Sequence, residues 1–319
     1  MIQICGRGLR SGLWTAKRRA RTAAQDKMIA AISRGLRGSD ALDGRLRPGL
    51  LSALTPIAAS EGHPVYLFST RDREIGWSTY RNHGFDEHKS DWVVARLGQC
   101  QRDRIVLDIG ANIGTVAIPM VTKYGAAHAV AFEPEPLNHR LLRCNVALND
   151  VEDHVTCIAV AVSDTEQLVQ FELSESNYGD HRVRVPGSPL GVEYMREGQR
   201  AIINVPAMPL TRALEDAKVD CEDVGLVWVD TQGHEGQVLA GADRMSGIPF
   251  VMEYWPYGLR RSNGLELFHE HVAKMFSRVI DIKRSIDTGA DVTYAASDIE
   301  RVAAALVLPR SHTDLLLLP

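Results

Sequence analysis

The chain has 319 residues, of which 45% are hydrophobic and 24% are charged, which is the balance of an ordinary folded protein. Its net charge of −4 and pI of about 6.3 argue against the basic surface of a nucleic-acid-binding protein. The five cysteines are scattered without a C-x-x-C pair, which argues against a zinc site or a disulfide framework and favours a cytoplasmic protein.

The first 37 residues form a basic segment, with nine Lys or Arg against Asp26 alone, a net charge of +8. Leu13, Ala16 and Ala20 recur at helical spacing, with basic residues on the other faces. Three roles stay open: an amphipathic helix that packs on the main domain or on a sister subunit of a homo-oligomer, a peripheral membrane anchor, and an organellar transit peptide. The segment has no apolar stretch of the kind that a secretory signal requires. The excess of arginine over lysine hints at a GC-rich bacterial genome.

Glycines between residues 35 and 49 indicate a boundary after this segment. We expect a basic helical extension at 1–47, a lid or helical lead-in at 48–103, and a cofactor-binding domain at 104–319 with a β insertion at 166–206. Within the lead-in, the sequence predicts two short strands or lid segments followed by a helix, at 65–68, 74–77 and 85–97.

From residue 104 onward, apolar strands alternate with amphipathic helices. The predicted core strands are 104–109, 127–132, 155–160, 225–230 and 248–253. The predicted helices are 113–124, 135–149, 209–218, 235–244 and 264–277. Strands this apolar are typical of parallel strands buried on both faces. The alternation therefore predicts an α/β fold with a Rossmann-like, doubly wound, mostly parallel sheet.

Two parts of the chain depart from this alternation. Strand-like pieces at 168–173, 181–185 and 201–205 predict the β insertion between the third and fourth core strands. Near the C-terminus, strand patterns at 278–282 and 314–318 flank a helix near 298–307. The two late strands predict an antiparallel pair that closes one edge of the sheet.

The turn after the first core strand carries the strongest functional signal. It runs from Asp108 through Gly110 and Asn112 to Gly114, at the place where α/β sheets bind nucleotides. The dinucleotide fingerprint has three glycines, whereas here an acid precedes the first glycine and the middle one is absent. Glu133 ends the second strand, where a carboxylate can bind both hydroxyls of a ribose. NAD stays possible on these features, but the sulfonium and ammonium groups of S-adenosylmethionine match the additional acid better.

Polar residues also follow the next three core strands. Ser163 and Asp164 follow the third strand, at the expected position of an adenine edge. The run Asp230-Thr231-Gln232-Gly233-His234-Glu235 follows the fourth strand, and Glu253 ends the fifth. Because the carboxyl ends of parallel strands share one edge of the sheet, we expect Asp230, His234, Glu235 and Glu253 to converge there.

Three phrases of the sequence, at 107–114, 132–134 and 230–235, resemble the FkbM family of S-adenosylmethionine-dependent methyltransferases over roughly 104–256. The resemblance implies a class I methyltransferase fold with an antiparallel C-terminal strand. It also implies O-methylation of a hydroxyl on a sugar, a glycolipid or a natural product. It assigns cofactor binding to Asp108, Gly110, Asn112, Gly114, Glu133, Ser163 and Asp164, and it places the transfer site along 230–235. Many members have Asp-x-Glu-Gly after the fourth strand, so Gln232 marks a variant subgroup.

For the transfer step we hypothesise that His234 is the general base and that Asp230 or Glu235 orients it. His234 also fits a simpler role at the start of a helix. A divalent-metal site formed by Asp230, His234 and Glu253 is a weaker alternative, and we expect no metal. Aromatic residues at 254–257, with Trp77 and Tyr80, would form either a wall for the acceptor or part of the core.

Two other classes of function compete with this interpretation. An NAD-dependent oxidoreductase would share the first strand and the acid that ends the second. A catalytically idle S-adenosylmethionine-binding interaction protein would keep the cofactor site alone. The preferred hypothesis is a cytoplasmic enzyme that acts on a small-molecule or glycan acceptor and not on nucleic acid, with peripheral membrane contact through the basic helix left open.

Overall fold

The computed structural model describes residues 46–98, 101–185, 187, 197–304 and 306–319. The chain divides into two units, Met1–Thr55 and Pro56–Pro319. In the first unit, helix α1 covers Leu46–Leu54. The predicted basic helix and most of the glycine-rich boundary lie outside the described residues, so they stay predictions. Within the described ranges, no helix combines the length and the apolar character that a membrane crossing requires.

The second unit begins with a lead-in made of a hairpin and two helices. Its elements are β1 (Ile57–Ala59), β2 (Leu67–Ser69), α2 (Ile75–Asn82) and α3 (Glu87–Leu97). The helix predicted at 85–97 is therefore confirmed, whereas the segment 74–77 is helical and not a strand. The Asp72 carboxylate explains the difference, because it accepts the backbone N–H groups of Glu74 at 3.1 Å and Gly76 at 2.8 Å and so stabilises the start of α2.

The rest of the second unit contains two sheets and the helices that connect their strands. Its strands are β3 (Ile105–Ile109), β4 (His128–Phe132), β5 (Val155–Ile158), β6 (Ala161–Ser163), β7 (Gln167–Leu173), β8 (Arg182–Val183), β9 (Ala201–Pro209), β10 (Val224–Val229), β11 (Phe250–Tyr254), β12 (Arg278–Asp281), β13 (Val292–Ala295) and β14 (Thr313–Leu318). Its helices are α4 (Ala117–Thr122), α5 (Pro136–Leu148), α6 (Leu210–Ala217), α7 (Glu235–Ala240), α8 (Pro256–Arg261), α9 (Leu265–Met275), α10 (Ile282–Thr288) and α11 (Glu300–Ala303).

The larger sheet has the order β13-β12-β14-β11-β10-β3-β4-β5. The five predicted core strands β3, β4, β5, β10 and β11 are parallel, as expected. The strand order reverses between β3 and β10, so the carboxyl ends of these two strands flank the crevice in which such sheets bind ligands. The α/β fold with a Rossmann-like, mostly parallel sheet is therefore confirmed.

One edge of this sheet is antiparallel, as predicted. Strand β14 pairs antiparallel with both β11 and β12, and it places Asp314 opposite Glu253. Strand β13, which the sequence pattern did not reveal, adds a further antiparallel strand outside β12. The result is a mixed sheet in which the late strand β14 lies next to the carboxyl end of β11.

The smaller sheet is formed by the segment between the third and fourth core strands. Its order is β6-β9-β7-β8, and β7 pairs antiparallel with β9 along its whole length. A buried ionic network joins this sheet to α8. Glu172 of β7 lies 3.3 Å from Arg182 Nε and 2.8 Å from Arg261 Nη2, with its side chain fully buried. Tyr257 of α8 donates a hydrogen bond to Glu197 at 3.0 Å, so the network fixes the second sheet beside the end of β11.

Candidate functional site

The turn between β3 and α4 is shaped by positive backbone φ angles. They are 88° at Gly110, 51° at Asn112 and 96° at Gly114. A Cβ on Gly110 would lie 1.9 Å from the Asp230 backbone oxygen, so no side chain fits there. These angles also delay the helix, which begins at Ala117 and not at 113 as predicted.

Asp108 lies at the end of β3, and its side chain points into the start of α4. Its Oδ2 accepts the backbone N–H of Ala117 at 2.9 Å. Burial, with a smaller contribution from the nearby charge of Asp230, raises the pKa of Asp108 to about 7. A buried carboxylate with so little compensation favours a cationic ligand beside this turn.

Glu133 is the carboxylate that ends β4. Its Oε2 accepts the Asn112 backbone N–H at 2.8 Å, and its Oε1 accepts the Glu135 backbone N–H at 2.8 Å. Burial raises its pKa to about 8, although these hydrogen bonds lower it. Each oxygen keeps a lone pair, so the group can accept two more hydrogen bonds, such as those of a ribose diol.

His234, which we expected to be the base, is hydrogen-bonded to Ser163. Its Nε2 lies 2.9 Å from Ser163 Oγ, and Ser163 Oγ donates to Asp164 Oδ1 at 3.0 Å. The serine has one proton, so the imidazole donates from Nε2, and Nδ1 is an acceptor. Nδ1 is buried and has no hydrogen-bond partner among the described residues. Burial lowers the pKa of His234 to about 4, so the ring is neutral near pH 7.

Glu235 is fully buried and stabilises its own turn. It accepts the backbone N–H and the hydroxyl of Thr231, both at 2.9 Å, and the Gly233 backbone N–H at 3.0 Å. Burial raises its pKa to about 7. These contacts fix the backbone around Asp230, so the geometry gives Glu235 a supporting position beneath the site.

Gln232 joins the carboxylates at the ends of β10 and β11. Its Nε2 donates to Asp230 Oδ1 at 2.7 Å and to Glu253 Oε2 at 3.0 Å. Lys89 of α3 lies near the same cluster and forms an ion pair with Asp314 at 2.9 Å. Burial lowers the pKa of Lys89, but its acidic neighbours outweigh this effect and hold the pKa above its usual value.

Three cavities lie around Asp230 and Gln232. The first, of about 590 Å³, is bordered by the turn after β3, Glu133, Val162, Tyr178 and His234. The second, of about 440 Å³, lies between Asp108, Lys89 and Asp230. The third, of about 1480 Å³ with its open mouth, has Gln232, Glu253, Trp255, Arg73 and His312 in its wall. Asp230 borders the first two, and Gln232 connects it to the third.

The structure brings most of the predicted site residues together. Asp108, Gly110, Asn112, Glu133, Asp230 and His234 border the first two cavities. Gly114 lies beneath the turn, where its Cβ position is 2.9 Å from Leu142. Ser163 does not border these cavities but is hydrogen-bonded to His234, which does, and the neighbouring Asp164 is exposed. Of the predicted aromatic residues, Trp255 borders the large cavity, whereas Trp77 and Tyr80 pack with Phe68.

Sequence analysis missed several residues that line these cavities. Lys89 comes from a helix outside the recognised motifs, and Tyr178 comes from the loop after β7. The Tyr178 backbone oxygen accepts hydrogen bonds from Asn112 at 2.9 Å and from Asn138 at 3.1 Å. Lys89 and Tyr178 lie outside the predicted motifs along the chain, so the sequence pattern gives no signal that they line these cavities. No cluster of three or more metal-binding side chains occurs within the described ranges.

The strand order, with Asp108 near the end of β3 and Glu133 directly after β4, is that of a class I methyltransferase, the class whose methyl donor is S-adenosylmethionine. A family model for the FkbM methyltransferase domain matches residues 108–278, which is more than half of the chain. The chain belongs to this family, and the predicted resemblance is confirmed.

Three characterised relatives are similar to parts of this chain. The 2-O-methyltransferase NoeI of Sinorhizobium fredii is 29% identical over a matched region that covers 44% of this chain and 57% of that protein. Methyltransferase sdnD of Sordaria araneosa is 31% identical over 49% of this chain and 68% of its own length. The hexuronic acid methyltransferase AglP of Haloferax volcanii is 26% identical over 62% of this chain and 74% of its own length. The chain thus spans little more than half the length of the first of them.

The residues of the first two cavities fit S-adenosylmethionine. Glu133 keeps free lone pairs for the ribose, and the unpartnered His234 Nδ1 offers a buried acceptor in the same cavity. Asp108 and Asp230 supply negative charge in the adjoining cavity, where a sulfonium and an ammonium group would be stabilised. The missing side chain at Gly110 lets the Asp230 backbone pack directly against this turn, which brings the ends of β3 and β10 together.

Proposed function

We propose that this protein is an S-adenosylmethionine-dependent O-methyltransferase that acts on a hydroxyl of a sugar, a glycolipid or another natural product. The observation that carries the proposal is the junction at Asp230. The cofactor cavities end there, and the large cavity begins at Gln232, whose amide donates to Asp230 at 2.7 Å. A donor and an acceptor bound in these cavities would meet within reach of the same carboxylates.

In this proposal the side chains mainly bind and align the reactants. Bound S-adenosylmethionine supplies a methyl group that its sulfonium already makes electrophilic. Glu133 holds the ribose, and the carboxylates of Asp108 and Asp230 stabilise the positive charge of the donor. The wall of the large cavity holds the acceptor oxygen in line with the methyl group, and such alignment accounts for much of the rate in bimolecular reactions.

We assign His234 to the nucleoside rather than to proton transfer. It borders the first cavity, and its Nε2 is committed to Ser163, whereas Gln232 and Glu253 border the acceptor cavity. The unprotonated Nδ1 is suited to accept a hydrogen bond from the adenine amino group. Asp230 borders both cofactor cavities and is joined to the acceptor cavity by Gln232, and Glu235 supports its turn.

The proposed acceptor class draws support from the relatives. Two of the three bear names that specify methylation of a hydroxyl or of a sugar acid, the 2-O-methyltransferase NoeI and the hexuronic acid methyltransferase AglP. The large cavity also suits a sugar, because Trp255 lies in a wall that otherwise consists mostly of hydrogen-bonding groups.

Binding and product analysis test this function. We expect S-adenosylhomocysteine, but not NAD, to raise the melting temperature, and we expect extracts of a deletion strain to lack one methyl group on a glycolipid or metabolite. Stabilisation by NAD instead would favour an oxidoreductase. Cofactor binding with no methylated product would favour an idle binding protein, which the cellular phenotype of Asp230→Ala would then examine.

A further inference from the structure

Glu253 is a buried carboxylate that the acceptor cavity reaches directly. It ends β11, is 9% exposed and borders the large cavity. Its Oε2 accepts from Gln232 at 3.0 Å, whereas its Oε1 accepts no hydrogen bond from the residues that the structure describes. One oxygen is therefore fixed, and the other is left for a group that enters from the cavity.

The Gln232 amide holds Glu253 and Asp230 in a defined relation. The backbone of Gln232 has a φ of 55°, and Gly233 follows with a φ of 103°. A Cβ on Gly233 would lie 2.6 Å from the Gly258 carbonyl carbon, so this turn is tightly packed against α8. Both amide protons of Gln232 are used, one on each carboxylate, which places Asp230 on the donor side and Glu253 on the acceptor side.

The charged groups around Glu253 are mostly acidic. Asp230 follows β10, Glu235 begins α7, Asp314 lies opposite on β14, and Lys89 of α3 supplies positive charge. Burial holds the pKa of Glu253 well above its usual range, and Asp230 and Glu235 add to this effect. A proton on Glu253 relieves this repulsion while the cofactor cavity holds no cation. A cation beside Asp230 would offset the repulsion between the acids and so favour the ionised form of Glu253.

We propose that Glu253 is the catalytic base: it releases its proton when the cationic donor binds, and it accepts the proton of the acceptor hydroxyl during transfer. This inference rests on the proposed function and assigns to Glu253 the role that sequence analysis gave to His234. The acceptor oxygen bonds to the methyl carbon as the sulfur–methyl bond breaks, and that bonding pair stays on sulfur. The hydroxyl proton moves to Glu253, so one positive and one negative charge disappear in the same step.

The first experiment measures proton release by titration calorimetry in two buffers of different ionisation enthalpy, near pH 7. Wild-type protein is titrated with S-adenosylmethionine and with S-adenosylhomocysteine, which lacks the sulfonium charge. We expect the cationic ligand to release more protons, by up to about one per site, because only it stabilises ionised Glu253. Glu253→Gln should lower this difference while it still binds S-adenosylhomocysteine, and the part that remains is assigned to Asp108 and Asp230, which border the cofactor cavity. Glu270→Gln, at an exposed position of α9, is the matched control that should keep the difference.

Equal proton release by the two ligands in wild-type protein, or a difference that is as large in Glu253→Gln as in wild-type protein, would overturn the inference. If Glu253→Gln does not fold, Glu253→Asp keeps the charge, and the pH midpoint of the difference should shift; an unchanged midpoint would again contradict the role. Failure of wild-type protein to bind either ligand would refute the proposed function itself, which is a distinct outcome.

Turnover gives a second test once an acceptor is known. We expect Glu253→Gln to lower kcat on the order of 10²–10⁴-fold with little change in KM, and to remove the acidic limb of the pH–rate profile. Glu253→Asp should recover part of the rate and keep that limb. Near-normal kcat in Glu253→Gln, or an unchanged acidic limb, would contradict the assignment.

Discussion

The donor side and the acceptor side of this site both depend on buried carboxylates, but the chain stabilises them in different ways. On the donor side, Glu133 accepts two backbone N–H groups and Asp108 accepts one. On the acceptor side, Glu253 shares the Gln232 amide with Asp230 of the donor side and faces further acids. The comparison indicates that the donor side is organised before its ligand binds, whereas the charge of the acceptor side depends on what the donor side holds.

The largest expected effect comes from filling the turn that separates the two sides. Gly110→Ala would place a methyl group 1.9 Å from the Asp230 oxygen on a backbone with a φ of 88°. We expect a loss of about 3–5 kcal/mol in the free energy of unfolding, measured by urea denaturation. Gly289→Ala shares a positive φ of 71° but meets no atom within 4 Å, so it should cost only about 1 kcal/mol. Equal losses would mean that the close approach at Gly110 has no energetic weight.

The second prediction concerns the donor side alone. Glu133→Gln would turn an amide nitrogen toward the Asn112 or Glu135 N–H, so that one donor faces another. It would also remove the charged acceptor for the ribose. We expect the Kd for S-adenosylhomocysteine to rise about 100-fold, which corresponds to about 3 kcal/mol, measured by calorimetry. If the Kd rose less than threefold, Glu133 would not hold the ribose.

The third prediction concerns how the stability of the cofactor-free protein depends on pH through the donor-side carboxylates. Asp108 and Glu133 have raised pKa values of about 7 and about 8, so the folded state keeps their protons at a pH where the unfolded state has lost them. Their stabilising contribution is therefore complete below about pH 4 and is lost as the pH rises through about 8. We expect the melting temperature to fall between pH 5.5 and pH 8, and S-adenosylmethionine to reduce that fall. A melting temperature that rises over this range would contradict the assignment.

The smallest effect is expected at His234. Substitution to alanine should weaken S-adenosylhomocysteine binding by about tenfold, or about 1.4 kcal/mol, without a further loss in kcat at saturating donor. An S-adenosylhomocysteine analogue with an oxygen in place of the adenine amino group should bind wild-type protein about tenfold more weakly than S-adenosylhomocysteine does. Its Kd should be the same for wild-type protein and for the alanine variant. A large fall in kcat at saturating donor would instead return His234 to the role of base.

The donor side was largely predictable because its residues lie close together in the sequence. The acid and glycines of 108–114 define a strand, a turn and a helix start within a few residues, and Glu133 ends the next strand. The acceptor side was predicted only in part. Asp230 and Glu253 were expected to converge, but Lys89 meets Asp314 across 225 positions, and no local pattern encodes that pairing.

Two errors in the fold prediction have a similar origin. Residues 74–77 have a strand-like pattern, yet the Asp72 carboxylate stabilises a helix start there. Strand β13 was missed because its four residues alternate between half-buried and exposed positions, and they become a strand only by pairing with β12. Sequence pattern predicts an element correctly where contacts between neighbouring residues determine it. The start of α2 and strand β13 depend instead on a side-chain contact or on a strand pairing that the pattern does not reveal.

The place of β14 in the larger sheet couples one sheet edge to the acceptor side. This strand follows β12 and β13 along the chain, yet it lies between β11 and β12. In this sheet, β12 and β13 are therefore linked to the parallel strands through β14, because β12 bonds to β14 and not to β11. The same strand carries Asp314 to Lys89 and places it opposite Glu253, so a change that loosens β14 would disturb this sheet edge and the charges of the acceptor side together.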